Sequence, residues 1–80
     1  MAQIEVVILD PQGSPRGVEL PDDVPMRVML PQLAQALGQG EGCELYNRTQ
    51  HFWYESVDTL AVRNTRGGDT LRLMKRKDDA

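Results

Sequence analysis

The end of the chain is the feature that most constrains its fold. Residues 67–74 read Gly-Gly-Asp-Thr-Leu-Arg-Leu-Met, and only six polar or small residues follow them. The glycines and Asp69 predict a tight turn, and the alternation that follows predicts a strand that buries Leu71 and Leu73. We expect a small domain that ends on such a strand to hold the strand inside its sheet.

Length, charge and cysteine content narrow the class of protein. Eighty residues make one domain, and a net charge of -3 does not favour general nucleic-acid binding. Cys43 is alone, so the sequence predicts no internal disulfide, no metal centre and a reducing compartment. The chain shows no signal peptide and no apolar run long enough to span a membrane. We therefore expect a cytoplasmic protein without membrane insertion and without a cofactor.

The first twenty residues predict a hairpin. Residues 3–9 alternate Ile4, Val6 and Ile8 with a second set of side chains, which is typical of a strand with one buried face. Residues 10–15 are rich in turn formers, and residues 16–20 resume the alternation.

One helix follows the hairpin. Residues 21–25 carry a helix start signal, in which an aspartate of the Asp22-Asp23 pair caps the free N–H groups and Pro25 occupies the first turn. The next apolar residues are spaced by three and four, which predicts a helix with one buried stripe ended by Gly38 and Gly40. That stripe consists of Met26, Met29, Leu30, Leu33, Ala34 and Leu37.

Pro31 interrupts this helical pattern. Inside a helix a proline costs about 3 kcal/mol because it removes an N–H donor and its ring clashes with the preceding turn. We expect either a kink at Pro31 or a tight first turn followed by the main helix.

The second half of the chain returns to strands. Residues 43–47 predict a strand with Cys43 and Leu45 inward, and residues 51–54 predict a short aromatic strand. A connection follows, with Leu60 as its buried anchor, and leads to the turn at 66–69. The order predicts an α+β protein with a β-grasp fold: one main helix across a mixed sheet of four or five strands, the last strand parallel to the first. The predicted domain covers residues 1–76, and residues 77–80 form a short polar tail.

Several motifs resemble ubiquitin-like proteins over nearly the whole chain. Asp58-Thr59-Leu60 and, further on, residues 66–73 resemble the connection and last strand of ubiquitin. Residues 20–25 and 30–33, with Pro21, Pro25 and Pro31, resemble the YukD/EsaB branch of bacterial ubiquitin-like proteins, which includes the ubiquitin-like domain of type VII secretion membrane components. The resemblance implies a cytosolic protein-binding domain without catalysis. Some bacterial relatives instead occur beside activating, conjugating and peptidase enzymes and are presumed modifiers.

The tail differs from that of a ubiquitin-like modifier. Gly67-Gly68 lies twelve residues before the end, where we expect both glycines to supply the positive φ angles of a turn. A modifier needs a terminal diglycine, so direct conjugation is not expected. The alternative is a protein modifier or sulfur carrier that a peptidase activates by trimming. The tail residues concerned are Lys75, Arg76, Lys77, Asp78, Asp79 and Ala80.

The candidate binding residues come from strand alternation. Tyr46, Arg72 and Met74 alternate with inward residues and are expected on the open face of the sheet, with Val7 nearby. A simpler interpretation is that these are scattered surface residues. Trp53 and Tyr54 are expected near the sheet edge, where such side chains often anchor partners, although at least one aromatic ring of this segment is expected to fill the core. These five residues form the predicted protein-binding site: Tyr46, Trp53, Tyr54, Arg72 and Met74.

The sequence does not predict an enzyme. His51 and Cys43 show no nucleophile–base spacing, and the two Asp-Asp pairs are interpreted as helix capping and a solvated tail. Lys75-Arg76-Lys77 can bind an acidic partner or a phosphate, but three charges near a terminus are more typical of a solvated segment without a partner. We therefore predict a monomeric recognition module whose partner is a secretion-system component or, in the alternative, activating and conjugating enzymes and a peptidase.

Overall fold

The computed structural model describes residues 2–10, 12–38 and 42–75, which form one sheet and one helix. Within these residues the elements follow the order β1, β2, α1, β3, β4, β5. Their bounds are β1 Gln3–Leu9, β2 Pro15–Pro21, α1 Met26–Ala36, β3 Cys43–Asn47, β4 Phe52–Trp53 and β5 Thr70–Lys75. No helix in the described part of the chain has the length and apolar character needed to cross a membrane.

The sheet has the predicted topology. Its strand order is β2-β1-β5-β3-β4, so the last strand lies in the centre. β5 runs parallel to β1 and antiparallel to β3, while β1–β2 and β3–β4 are antiparallel pairs. One helix and a mixed five-stranded sheet confirm the α+β β-grasp prediction. The division into residues 1–76 and a tail stays a prediction, because residues 76–80 lie outside the described residues.

The core lies between the helix and one face of the sheet. The predicted helical stripe faces inward, with Leu30 and Leu37 half-buried at its margins. Leu60 is fully buried and anchors the long connection, as predicted. The buried apolar side chains are Val6, Ile8, Leu20, Met26, Met29, Leu33, Ala34, Leu45, Tyr54, Leu60, Leu71 and Leu73.

The helix start differs from the prediction. Pro25 is the N-cap residue, and no side chain, including those of Asp22 and Asp23, forms a capping hydrogen bond. Instead, the Met26 N–H donates to the carbonyl oxygen of Asp58 at 2.8 Å, and the Arg27 N–H donates to that of Ser56 at 2.9 Å. The free donors of a helix end need acceptors, and the connection after β4 supplies them from its backbone.

Pro31 lies inside a single helix. Residues 26–36 form one α-helix, so the predicted alternative of a separate tight first turn is not observed. Gly38 follows the C-cap residue Leu37 and has a φ of +72°, which fits its predicted role in ending the helix. Gly40, the second predicted terminator, lies outside the described residues.

The bounds of three strands and one glycine assignment also differ from the predictions. β2 extends one residue beyond the predicted 16–20 at each end. The predicted strand at 51–54 shrinks to two residues because His51 adopts a left-handed turn conformation, with a φ of +64°. Tyr54 lies just beyond β4, although its N–H still donates to the Leu45 carbonyl oxygen of β3 at 3.0 Å. Lys75, predicted as tail, is the last residue of β5. Gly68 has a positive φ of +90°, whereas Gly67 does not have one.

Candidate functional site: the open face of the sheet

The sheet face opposite α1, here called the open face, carries a straight row of side chains. Leu9 pairs with Arg72, Arg72 with Tyr46, and Tyr46 with Trp53 in the registers of β1, β5, β3 and β4. One residue from each of four adjacent strands therefore lies in line. Since neighbouring strands are about 4.8 Å apart, the row is about 14 Å long.

Tyr46 and Trp53 form the aromatic end of this row. Their ring centroids are 5.1 Å apart and the ring planes are tilted by 59°. Both side chains are half-buried, so each ring keeps part of its surface accessible. Cross-strand aromatic pairs stabilise a sheet, and this pair also fixes the two rings at β4, the edge strand. The structure thus brings two of the predicted site residues into direct contact.

Arg72 and Met74 continue the site along β5. Arg72 is half-buried, and its Nε atom is fully covered although the residue lies on the open face. Met74 pairs with Glu44 of β3, two residues along the strands from the Arg72–Tyr46 pair. Leu71 and Leu73 alternate with them and are fully buried. Alternation in β5 therefore predicted correctly which residues face outward.

Two members of this surface were missed by the sequence interpretation. Leu9 lies at the end of the apolar run 6–9, where both faces of the strand are apolar and alternation gives no signal. Glu44 could have been recognised from the sequence, because it alternates with Cys43 and Leu45 in the same way as Tyr46. Val7, which was expected nearby, pairs with Thr70 two residues before the row along β1 and β5.

Tyr54 is a correction to the predicted site. Its side chain is 1% exposed and therefore cannot contact a partner in this conformation. Its hydroxyl shares a hydrogen bond with the Thr65 hydroxyl and accepts one from the Asn47 amide at 3.1 Å. Burial raises the pKa of Tyr54 despite these hydrogen bonds, so the ring is neutral at physiological pH. Tyr54 therefore fills the core, as expected of at least one aromatic residue of this segment.

Asp69 is the centre of a buried polar network under the open face. Its Oδ2 accepts hydrogen bonds from the Asn47 amide at 3.1 Å, the Gln50 amide at 2.8 Å and the Arg66 backbone N–H at 3.2 Å. Burial on its own pushes the pKa of Asp69 upward, but these three donors together hold it below its ordinary value. The network fixes the turn that leads into β5, and therefore the position of Arg72.

The third aromatic residue of the segment belongs to the core side. Phe52 packs edge-on against Tyr54 at a centroid distance of 4.7 Å. The guanidinium of Arg63 lies 4.2 Å from the Phe52 ring centroid, and Arg63 is also 3.6 Å from Asp58. The connection therefore packs over Phe52, and Trp53 is the aromatic side chain of this segment on the open face.

The structure does not bring Cys43 and His51, the other candidate residues, together into a site. Cys43 begins β3, whereas the His51 N–H donates to the carbonyl oxygen of Asn47 at the other end of that strand, at 2.7 Å. The four residue steps from Cys43 to Asn47 span about 13 Å. Cys43 is half-buried and packs against the core, which agrees with its predicted inward position. Within the described ranges, no group of three or more His, Cys, Asp or Glu side chains is placed to hold a metal ion. The predicted tail residues Arg76, Lys77, Asp78, Asp79 and Ala80 lie outside the described residues.

Comparison with solved structures places this fold among ubiquitin-like proteins. The EccD5 ubiquitin-like domain from Mycobacterium xenopi matches with a TM-score of 0.75 and 20% identity, covering 98% of this chain and 99% of that domain. The Caldiarchaeum subterraneum ubiquitin matches with a TM-score of 0.72 and 15% identity, covering 99% and 100%. No protein-family model and no curated sequence matches the chain.

A larger assembly contains a similar domain. Protomer 1 of the ESX-3 core complex matches with a TM-score of 0.80 and 20% identity. The match covers 99% of this chain but 17% of that protomer, so the likeness concerns one domain of a longer chain. At these identities the likeness shows the fold alone: the protein has a ubiquitin-like β-grasp fold.

Proposed function

We propose that this domain is a non-enzymatic recognition module that binds partner proteins through its open face. The observation that carries the proposal is the row formed by Leu9, Arg72, Tyr46 and Trp53 across four strands. Tryptophan, tyrosine and arginine are the residue types that dominate binding energy at protein interfaces. Here they lie side by side on a rigid sheet.

The surroundings of the row suit a protein partner. A stable protein interface covers about 800 Å² on each side, which is more than a row about 14 Å long provides. Val7 and Met74 extend the apolar surface on either side, and Glu44 adds a carboxylate beside Met74. Methionine adapts its shape to different partners, so Met74 is suited to the contact area around the aromatic pair.

The pathway we propose is type VII secretion or a related bacterial process, with the domain acting in the cytoplasm. The sequence resemblance to the YukD/EsaB branch and the structural likeness to the EccD5 ubiquitin-like domain support this assignment. The likeness to a protomer of the ESX-3 core complex adds a case in which such a domain forms part of an assembly. The proposed partner is accordingly a protein component of the secretion machinery.

The test is a pull-down from the source organism with the wild-type domain, a Tyr46→Ala/Met74→Ala variant and a Val57→Ala variant, followed by mass spectrometry. Val57 is 68% exposed on the connection and serves as a matched control for loss of apolar surface. We expect secretion-system proteins to be captured by the wild type and the control, but not by the double variant. Equal capture by all three proteins, with each shown to be folded, would exclude the open face.

A further inference from the structure

The backbone of β2 offers hydrogen-bonding groups at the edge of the sheet. In the described part of the chain, β2 pairs with β1 and no strand lies on its other side. The Val7 N–H donates to the Asp69 carbonyl and the Glu5 carbonyl accepts from the Gly68 N–H, so odd-numbered residues of β1 direct their backbone groups toward β5. The even-numbered residues of β1 therefore bond to β2, since the two directions alternate along a strand.

This alternation fixes which groups of β2 face the free edge. The even-numbered residues of β2 are the register partners of the even-numbered residues of β1 and use their backbone groups in that ladder. Gly17 and Glu19 consequently direct their N–H and C=O groups outward. Pro15 and Pro21 have the same outward orientation and no N–H to offer, which is where a sheet tolerates proline. The free edge thus presents two N–H donors between two prolines.

The side chains beside this edge carry an unusual charge pattern. Glu5 and Glu19 are direct cross-strand partners, both are exposed, and both lie on the open face. They form a pair without ladder hydrogen bonds between them, the kind of pair in which side chains approach most closely. Like charges placed directly opposite each other destabilise a sheet. A cationic side chain on a strand added beside Glu19 relieves this repulsion.

On an added strand, the position opposite Gly17 favours an apolar side chain. Gly17 pairs with half-buried Val7, and a Cβ atom at Gly17 would meet nothing within 4 Å. A side chain on an added strand opposite Gly17 therefore has room to lie across the glycine toward Val7. Positions that face Gly17 and Glu19 are two residues apart, so they lie on the same side of the added strand.

We propose that the β2 edge binds an extended segment of a partner protein by strand addition, with an apolar and a basic residue two positions apart. The Gly17 and Glu19 backbone groups hold the segment, the apolar side chain covers Val7, and the basic side chain binds the Glu5–Glu19 pair. The two prolines limit the added strand to a few residues. Pairing of β2 with β2 of a second copy is disfavoured, because it adds further glutamates to the same strip.

The test is an NMR titration of the ¹⁵N-labelled full chain with a blocked seven-residue peptide. The peptide has threonine at alternate positions and leucine, lysine and leucine between them, which presents the motif in either chain direction. The matched peptide has glutamate in place of lysine. We expect amide shifts centred on Gly17 and Glu19 with the lysine peptide, and at least about fivefold weaker binding of the glutamate peptide at low salt.

Two variants and one control separate the parts of the proposal. Glu19→Lys is expected to weaken binding of the lysine peptide about fivefold and to favour the glutamate peptide. Gly17→Pro removes an outward N–H at a position whose backbone groups do not bond to β1. This variant is expected to bind neither peptide. Glu55→Lys makes the same charge change on the connection after β4 and is expected to leave binding unchanged. The amide spectrum of Val6 and Ile8 verifies that each variant keeps the hairpin.

Four results would overturn the proposal. Shifts confined to Tyr46, Trp53 and their neighbours would mean that the peptide binds the open-face row instead. Equal binding of both peptides would show that the Glu5–Glu19 pair does not select a basic side chain. No shifts at β2 at millimolar peptide would show that the β2 edge does not bind the segment. Concentration-dependent shifts at β2 without peptide would identify a second copy as the occupant.

Discussion

The side-chain amide of Asn47 donates a hydrogen bond of 3.1 Å to the Asp69 carboxylate, and so joins the end of β3 to the turn before β5. Both residues are buried, at 0% and 6% exposure. The same amide donates to the Tyr54 hydroxyl, and the Asn47 Oδ1 accepts from the Gln50 N–H at 2.8 Å. A single side chain therefore connects two turns and the buried ring below the proposed binding row.

Replacing Asn47 should destabilise the domain. Asn47→Ala leaves the Asp69 carboxylate and the Tyr54 hydroxyl each with one hydrogen bond fewer in a buried environment, which costs about 2–3 kcal/mol. This is a large part of the roughly 4–12 kcal/mol expected for a domain of this length. Urea unfolding at neutral pH measures the loss. Arg48→Ala, at the exposed neighbouring position, is the control and should change the free energy of unfolding by less than about 0.5 kcal/mol.

Asp69 should make the domain sensitive to acid. Its pKa in the folded protein lies below the ordinary value of 3.8. The carboxylate therefore contributes its stabilisation above about pH 4 and loses it as the pH falls toward the folded-state pKa. Asp69→Asn should cost about 1–3 kcal/mol at pH 7, and the difference from wild type should shrink as the pH approaches 3. A difference that stays constant over this range in urea unfolding would show that the charge of Asp69 is not involved.

The Tyr54 hydroxyl should contribute to stability, whereas that of Tyr46 should not. Tyr54→Phe removes the group that bonds Asn47 and Thr65 and should cost about 1 kcal/mol. Tyr46→Phe is the matched control on the open face. Because the folded-state pKa of Tyr54 is raised, its neutral form is stabilised below about pH 10 and this stabilisation fades as the pH rises further. Tyrosinate absorbance should accordingly show one tyrosine that ionises late in the wild type, and its absence in Tyr54→Phe.

The sequence predicted the elements well where periodicity was strong. The bounds of the first and third strands agree with the structure, and Leu71 and Leu73 face inward as alternation in the last strand indicated. The central place of that strand and its parallel pairing with β1 also agree. The open-face positions of Tyr46, Arg72 and Met74 follow from the same local signal.

The errors arose where partners distant in sequence decide the outcome. The helix start is bonded by the carbonyl groups of Ser56 and Asp58, which lie some thirty residues away and leave no sequence signature. Tyr54 was assigned to the surface because nothing local reveals its bonds to Asn47 and Thr65. Leu9 was missed because an apolar run hides the alternation that would place it. Each error reflects tertiary contacts that override a local pattern.

The two glycines before β5 should differ in their tolerance of substitution. Gly68 has a φ of +90° and its N–H donates to the Glu5 carbonyl at 2.8 Å, so an L-residue there strains a backbone that β1 holds in place. Gly68→Ala should cost about 1–2 kcal/mol. Gly67 lacks a positive φ, and a Cβ there would lie 3.9 Å from the Glu5 carbonyl oxygen, an ordinary contact. Gly67→Ala should therefore be neutral or slightly stabilising, because it reduces the freedom of the unfolded chain.

Thermal unfolding of the two alanine variants measures this difference under one set of conditions. A lower Tm for Gly68→Ala than for Gly67→Ala supports a turn whose geometry depends on one glycine. Equal and large losses at both positions would mean that Gly67 also needs its conformational freedom, as the sequence first suggested. Amide exchange at Val7, whose N–H bonds to Asp69, reports whether a loss of stability comes from the loosened turn between the connection and β5.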